Sequence, residues 1–191
     1  LAPGEGPSYP LEDILYFLKK RRGILEGVCI SGGEPTLNPG LRSLCESIKA
    51  LGYPIKLDTN GTNPGLLQEL AGEHLIDHIA MDIKSPPAHY AKLAGVEDPA
   101  LDKIDRSVQW LLSDPLPYEF RTTVVRELHT EEDLIQISKW IAGAAQYFLQ
   151  AYRDSPQVMQ RGYSACSKEE MGHYLRSVRL LIPSAQLRGV D

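Results

Sequence analysis

The sequence is poor in the residues that mark several common chemistries. Three cysteines, Cys29, Cys45 and Cys166, occur in 191 residues. They are too few and too scattered for a disulfide framework, and no two stand at C-x-x-C or C-x-x-x-C spacing. Cys29 lies in an apolar strand pattern and Cys45 on the apolar face of a helix pattern. Both read as small buried hydrophobes in a reduced, cytoplasmic setting. Aromatic content is only 7%, and Trp110 and Trp140 fall on helix faces as core residues. No apolar run approaches the about 18 residues of a spanning helix, so no membrane partner is expected. Against 25 Asp+Glu there are 20 Lys+Arg, a net charge of −5. No basic stripe neutralises phosphates, so nucleic acid is not an expected partner. The one basic run, Lys19 to Arg22, closes a helix and complements its dipole. His74, His78, His89 and His173 lack ligand spacing, and His129 reads as a surface residue beside an acidic helix start.

What is present is a regular alternation of two hydrophobic periods. Leu11, Ile14, Leu15 and Leu18 repeat at helical spacing, followed by a short apolar strand over 26–30. Asn38-Pro39 and Asn63-Pro64 open two further helices, with a strand over 55–59 between them. Strands are then expected over 78–83, 118–125, 144–149 and 186–190. Helices are expected over 101–112, from Thr130, and from the capping box Ser167-x-x-Glu170. No linker or low-complexity segment divides the chain, so residues 1–191 are expected to form one domain. Helices between successive strands mean βαβ crossovers and a mostly parallel α/β sheet, either doubly wound or closed towards a (β/α) barrel. In both, ligands sit beyond the C-terminal ends of the strands.

The strand ends carry the chemistry. Ser31-Gly32-Gly33-Glu34-Pro35 combines glycines that let a ligand approach backbone with a carboxylate suited to an ammonium. Asp58-Thr59-Asn60-Gly61 offers oxygens for a hydroxyl or a hard cation. Asp82 and Lys84 share one side of their strand by period two. Arg121 supplies a fixed cation on the next strand, and Gln150 and Tyr152 follow the fifth. Each signal alone also fits an ordinary turn, ion pair or rim contact. Together they describe a site for a zwitterionic ligand bearing a nucleoside, with Glu34 and Arg121 gripping its ammonium and carboxylate.

Val28 to Leu37, which contains Ser31-Gly32-Gly33-Glu34-Pro35, resembles the strand and GGEP motif of radical S-adenosylmethionine (SAM) enzymes. Lys56 to Thr62 and Ala80 to Lys84 resemble the D-T-N-G and D-x-K segments of activases of glycyl-radical enzymes, of the anaerobic ribonucleotide reductase and pyruvate formate-lyase type. The resemblance covers nearly the whole chain and implies a partial (β/α)6 TIM-like barrel. It implies that Gly32, Gly33 and Glu34 receive the SAM amino group, that Asp82 and Lys84 line the cofactor site, and that Arg121 faces the carboxylate. Asp58, Thr59 and Asp82 would form the oxygen cluster that holds a monovalent cation in such activases, with Asn60 beside it. Gln150 and Tyr152 would border the adenosine. The implied partners are a glycyl-radical enzyme as protein substrate and a flavodoxin-type electron donor.

The family's C-x-x-x-C-x-x-C loop, whose thiolates hold a [4Fe–4S] cluster, is absent, and it belongs upstream of the helix beginning near Pro10. The expectation is therefore a barrel without its first strand and cluster loop, an N-terminally incomplete and inactive chain that binds no cluster and binds SAM weakly. An uncovered sheet edge is expected to favour dimerisation or poor solubility. Three other readings stay open: a cluster-free barrel that docks a partner, a radical SAM enzyme with another substrate, and a Schiff-base lyase using Lys84.

Overall fold

The computed structural model describes residues 9–91, 100–154 and 162–190. Its strands are β1 (Val28–Ile30), β2 (Ile55–Thr59), β3 (His78–Asp82), β4 (Tyr118–Val124), β5 (Tyr147–Ala151) and β6 (Gln186–Arg188). The helices are α1 (Leu11–Lys20), α2 (Leu41–Ala50), α3 (Pro64–Gly72), α4 (Leu101–Leu112), α5 (Glu131–Trp140) and α6 (Lys168–Arg179), with 3-10 turns at Pro35–Leu37 and Pro87–His89. The six strands form one sheet in the order β1-β2-β3-β4-β5-β6, every neighbour parallel. That order settles the choice left by the sequence. Doubly wound sheets reverse direction part-way, whereas sequential order with right-handed crossovers keeps the helices on one side. The architecture is a partial TIM-like barrel.

Period two then separates two faces. Leu57, Ile79, Met81, Phe120, Tyr147 and Leu149 are fully buried, and with Leu67, Leu70, Ile104, Val108, Ile137 and Met171 from the helices they form the core. The alternate positions carry polar and charged groups, which helices on the other side leave open to a ligand. Three helix starts follow their sequence signals, whereas α2 begins at Leu41 behind Gly40 with no side-chain cap rather than at Asn38-Pro39, because Asn38 Oδ1 is taken by Gly40 N–H at 2.8 Å. Asn63 accepts from Leu66 N–H, Ser167 and Glu170 close a capping box, and Thr130 closes another with Asp133.

Four other expectations change. β5 runs over Tyr147–Ala151 rather than 144–149, because Gly143 at φ 90° turns the chain out of α5 and Ala145 N–H is taken by the Tyr118 hydroxyl. Cys29 is exposed, not buried, since it falls on the polar face of β1. His129 is buried, not on the surface, and both its ring nitrogens are hydrogen-bonded. Leu11 and Ile14 are exposed although they share the apolar stripe of α1, which buries only Leu18, at the end where Tyr53 OH donates to Leu18 O. Among the described residues no helix is long and apolar enough to cross a membrane.

One glycine fixes the turn after β2. Gly61 adopts φ +79°, its carbonyl accepts from the buried Ser107 hydroxyl at 2.7 Å, and an added Cβ would lie 2.1 Å from Met81 Cε. Left-handed backbone costs a non-glycine residue about 1–2 kcal/mol, and the crowded Met81 adds to it. Gly61→Ala is expected to destabilise the fold by about 2 kcal/mol or more in urea unfolding; a change below about 0.5 kcal/mol would contradict the packing described.

Candidate functional site

Arg121, on β4, reaches across two neighbouring strands. Its Nε donates to Asp82 Oδ1 at 2.8 Å and its Nη1 to Asp58 Oδ2 at 3.1 Å. The register makes this possible, with Asp82 directly opposite Arg121 and Asp58 beside Ala80 on the same face. Lys56 Nζ sits 3.0 Å from the other Asp58 oxygen, and Cys29 Sγ lies 3.6 Å from it. Deeper on this face the buried Glu119 receives both terminal nitrogens of Arg188 at 2.8 and 2.9 Å, with Lys56 at 3.6 Å. Arg188 in turn stacks on Phe148, 3.7 Å from the ring centre.

These pairings set the protonation states. Burial alone would push the Asp58 carboxyl up, but Lys56 and Arg121 outweigh it and hold the group below its ordinary value. Glu119 is likewise held down against burial by Arg188, Lys56 and Arg121. At Asp82 burial wins over the pull of Arg121 and Lys84, and the carboxyl is raised. Desolvation and the Asp58 carboxylate push the Cys29 thiol up, away from the thiolate a metal would need.

Glu34 belongs to a different cluster. Its Oε1 accepts from Thr36 N–H (3.1 Å), Thr36 Oγ1 (2.7 Å) and Thr59 Oγ1 (2.8 Å), and its Oε2 from Asn60 N–H (2.6 Å). Four donors converge on one carboxylate, tying the loop after β1 to the end of β2. In the structure the side chain thus faces Thr36 and the end of β2, and it makes no hydrogen bond to Arg121 or its carboxylate partners. What the loop offers is main chain: Gly32 and Gly33 are exposed at φ 100° and 55°, and open space surrounds the position of a Gly33 Cβ.

The structure thus brings Asp58, Asp82 and Arg121 together, and it separates Thr59 and Asn60 from them. Thr59 follows Asp58 by one residue, so its hydroxyl falls on the helix side and binds Glu34, which removes it from the expected oxygen cluster. Asn60 turns its amide oxygen onto Thr62 N–H and the Thr62 hydroxyl. Asp58 and Asp82 are bridged by a guanidinium, and among the described residues no group of three acidic, histidine or cysteine side chains could hold a metal. Lys84 is exposed on a cavity of about 310 Å³ walled by Asp82, Ile83, Thr123, Val125, Leu128 and His129. It makes no salt bridge among the described residues. Gln150 lies 3.4 Å from Thr123 Oγ1 at the end of β5, and Tyr152 just beyond is buried. Lys56, Glu119 and Arg188 were missed from sequence. The period-two step from Asp58 and Arg121 reaches Lys56 and Glu119, whereas Arg188 needs the fold.

Residues 2–141 match the sequence model of the radical SAM superfamily. The chain belongs to that superfamily. A glycyl-radical enzyme activating enzyme of Methanocaldococcus jannaschii is 31% identical over 131 residues, covering 66% of this chain and 55% of that protein. The 7-carboxy-7-deazaguanine synthase of Neisseria meningitidis is 42% identical over 81 residues, 42% of this chain and 32% of that protein. The chain therefore spans about half and about a third of these curated relatives. Among solved structures, a domain of the pyruvate-formate lyase-activating enzyme of Bacteroides vulgatus superposes at TM-score 0.67 with 18% identity, covering 86% of this chain and all of that one. Streptococcus suis SuiB, solved bound to S-adenosylmethionine, superposes at TM-score 0.77 with 13% identity, covering 98% of this chain and 45% of that one. Both likenesses concern the fold.

The lowered Asp58 carboxyl has a pH signature. A group whose folded pKa lies below its unfolded value contributes stability above the ordinary Asp range and loses it as pH falls through the folded value. The stability gap between the parent chain and Asp58→Asn should be widest near pH 7 and narrow below about pH 4 in urea unfolding. A gap independent of pH would contradict the pairing with Lys56 and Arg121.

Proposed function

We propose that this face holds SAM, and that the chain is the body of a radical SAM activase that generates a glycyl radical on an anaerobic partner enzyme of the ribonucleotide reductase or pyruvate formate-lyase type. The observation that carries the reading is the Asp58–Arg121–Asp82 bridge, with Lys84 on the cavity that Asp82 borders, at the C-terminal edge of the same parallel sheet whose first strand runs into the exposed Gly32-Gly33 backbone. When bound, SAM supplies reductive carbon–sulfur cleavage leading to hydrogen abstraction from a glycine of the partner, with one electron from a flavodoxin-type donor. The Gly32–Glu34 main chain would accept the amino group. Lys84, which makes no salt bridge among the described residues, and the Arg121 guanidinium would meet the methionine carboxylate. Gln150 and Tyr152 would border the adenosine. Asp58 and Asp82 would hold Arg121 in place and offer oxygens to a monovalent cation only where that guanidinium moves aside.

The chain's three thiols do not fit a [4Fe–4S] cluster: Cys29 is on β1, Cys45 is buried in α2, and Cys166 is buried before α6. In this reading the cluster ligands of the whole protein are supplied outside these three positions, the 191 residues alone are inactive, and the setting is the cytoplasm. The likeness to a deazaguanine synthase supports a second reading, a radical SAM enzyme acting on a small heterocyclic substrate in the same cavity. Radical formation on a glycyl-radical enzyme, seen by electron paramagnetic resonance with the full-length protein, separates the two.

For the chain itself, equilibrium binding of SAM should weaken about tenfold in Lys84→Ala and in Arg121→Ala, the scale of one charge-assisted hydrogen bond. Unchanged affinity in both variants would remove this face as the SAM site.

A further inference from the structure

The peptide groups that aim Lys84 are held by side chains rather than by the sheet. Ile83 N–H makes the last ladder bond, to Arg121 O at 2.8 Å. Beyond it, Thr122 Oγ1 donates to Ile83 O at 2.8 Å while accepting from Tyr147 OH at 2.8 Å. Lys84 N–H donates to Tyr90 OH at 3.4 Å. Tyr90 is buried edge-on to Trp140, with ring centres 6.2 Å apart, and the Trp140 indole N–H donates to Asp105 at 2.8 Å.

His129 closes this set. It is 5% exposed. Its Nδ1 accepts from Val125 N–H at 3.1 Å, and its Nε2 lies 2.9 Å from Lys84 O. A backbone N–H only donates and a carbonyl only accepts, so both bonds exist together only in the neutral tautomer protonated at Nε2. The ring thereby joins the chain leaving β3 to the chain leaving β4, the two segments that wall the 310 Å³ cavity. A lysine has a long flexible stem, so presenting its ammonium at one point requires a fixed base.

We propose that His129 is a positioning residue: it locks the Lys84 peptide so that the lysine ammonium is presented to an anionic group of the cavity's ligand. This rests on the reading above, in which that group is the SAM carboxylate. The function of His129 would then lie in ligand affinity through Lys84 and not only in holding the fold.

Two measurements on the whole 191-residue chain test it, with SAM as the probe: equilibrium binding, and backbone amide hydrogen exchange. His129→Phe keeps the ring volume but neither hydrogen bond, and is expected to weaken SAM about tenfold and to speed exchange at the Lys84 amide about tenfold or more. His129→Gln, whose amide both donates and accepts, should recover most of each. In a Lys84→Ala background, His129→Phe should cost no further affinity. Unchanged Lys84 exchange in His129→Phe, or a loss of affinity that adds in full to that of Lys84→Ala, would overturn the positioning role. Unchanged SAM binding in Lys84→Ala alone would instead overturn the ligand assignment, while the exchange data would still report whether His129 holds Lys84.

Discussion

The arrangement depends on a guanidinium shared between two carboxylates. Arg121 is largely buried, and an unpaired buried cation would be expelled or would disrupt the sheet. Asp58 and Asp82 come from the two preceding strands, so the bridge also reports that β2, β3 and β4 hold the register in which all three groups share one face. A slip of one residue would send Asp58 to the helix side and bring Leu57 to the polar face. Lys56, Glu119 and Arg188 extend the same network towards the floor of the barrel. With three cations and three carboxylates it is close to neutral, so what remains for an incoming ligand among the described residues is hydrogen-bonding capacity and the ammonium of Lys84.

A second carboxylate hub shows how one motif divides its labour. The Glu34 side chain is consumed by Thr36, Thr59 and Asn60, and this rigid knot frees the main chain of Gly32 and Gly33 to face outward. The two glycines are permissive and Glu34 is restrictive. Their adjacency gives a loop that exposes backbone polar groups without being floppy. The residues a ligand would meet and the residues that hold them are thus sequence neighbours pointing in opposite directions.

That division explains what was legible before any coordinates. The caps of α3, α5 and α6, the strands β2 and β4, the parallel topology and the placing of Asp82 and Arg121 at strand ends follow from period, capping chemistry and motif spacing, all of which are local. The misreadings have one source, the direction of side chains. Thr59 and Asp58 were treated as one cluster although adjacent strand residues face opposite ways. The chemistry of Glu34 suits an ammonium, but nothing local shows that it also accepts four hydrogen bonds, from Thr36 and from the end of β2, 25 residues on. His129 lies in a polar stretch beside acidic residues, and nothing local reveals that Lys84 O, 45 positions earlier, waits for its proton.

The first helix, α1, is likewise only half specified by its own sequence. Its stripe of Leu11, Ile14, Leu15 and Leu18 is as regular as any in the chain, yet only Leu18 is buried, with Leu15 partly packed beside it. Leu11 and Ile14 instead line a cleft of about 450 Å³ with Ile30, Leu41, Leu44 and the Ser31–Gly32 backbone. Periodicity specifies a face to be covered but not what covers it, and here the apolar stripe and the exposed glycine loop border the same cleft. Whatever occupies that cleft therefore packs against the apolar stripe of α1 and against the Gly32 backbone at once.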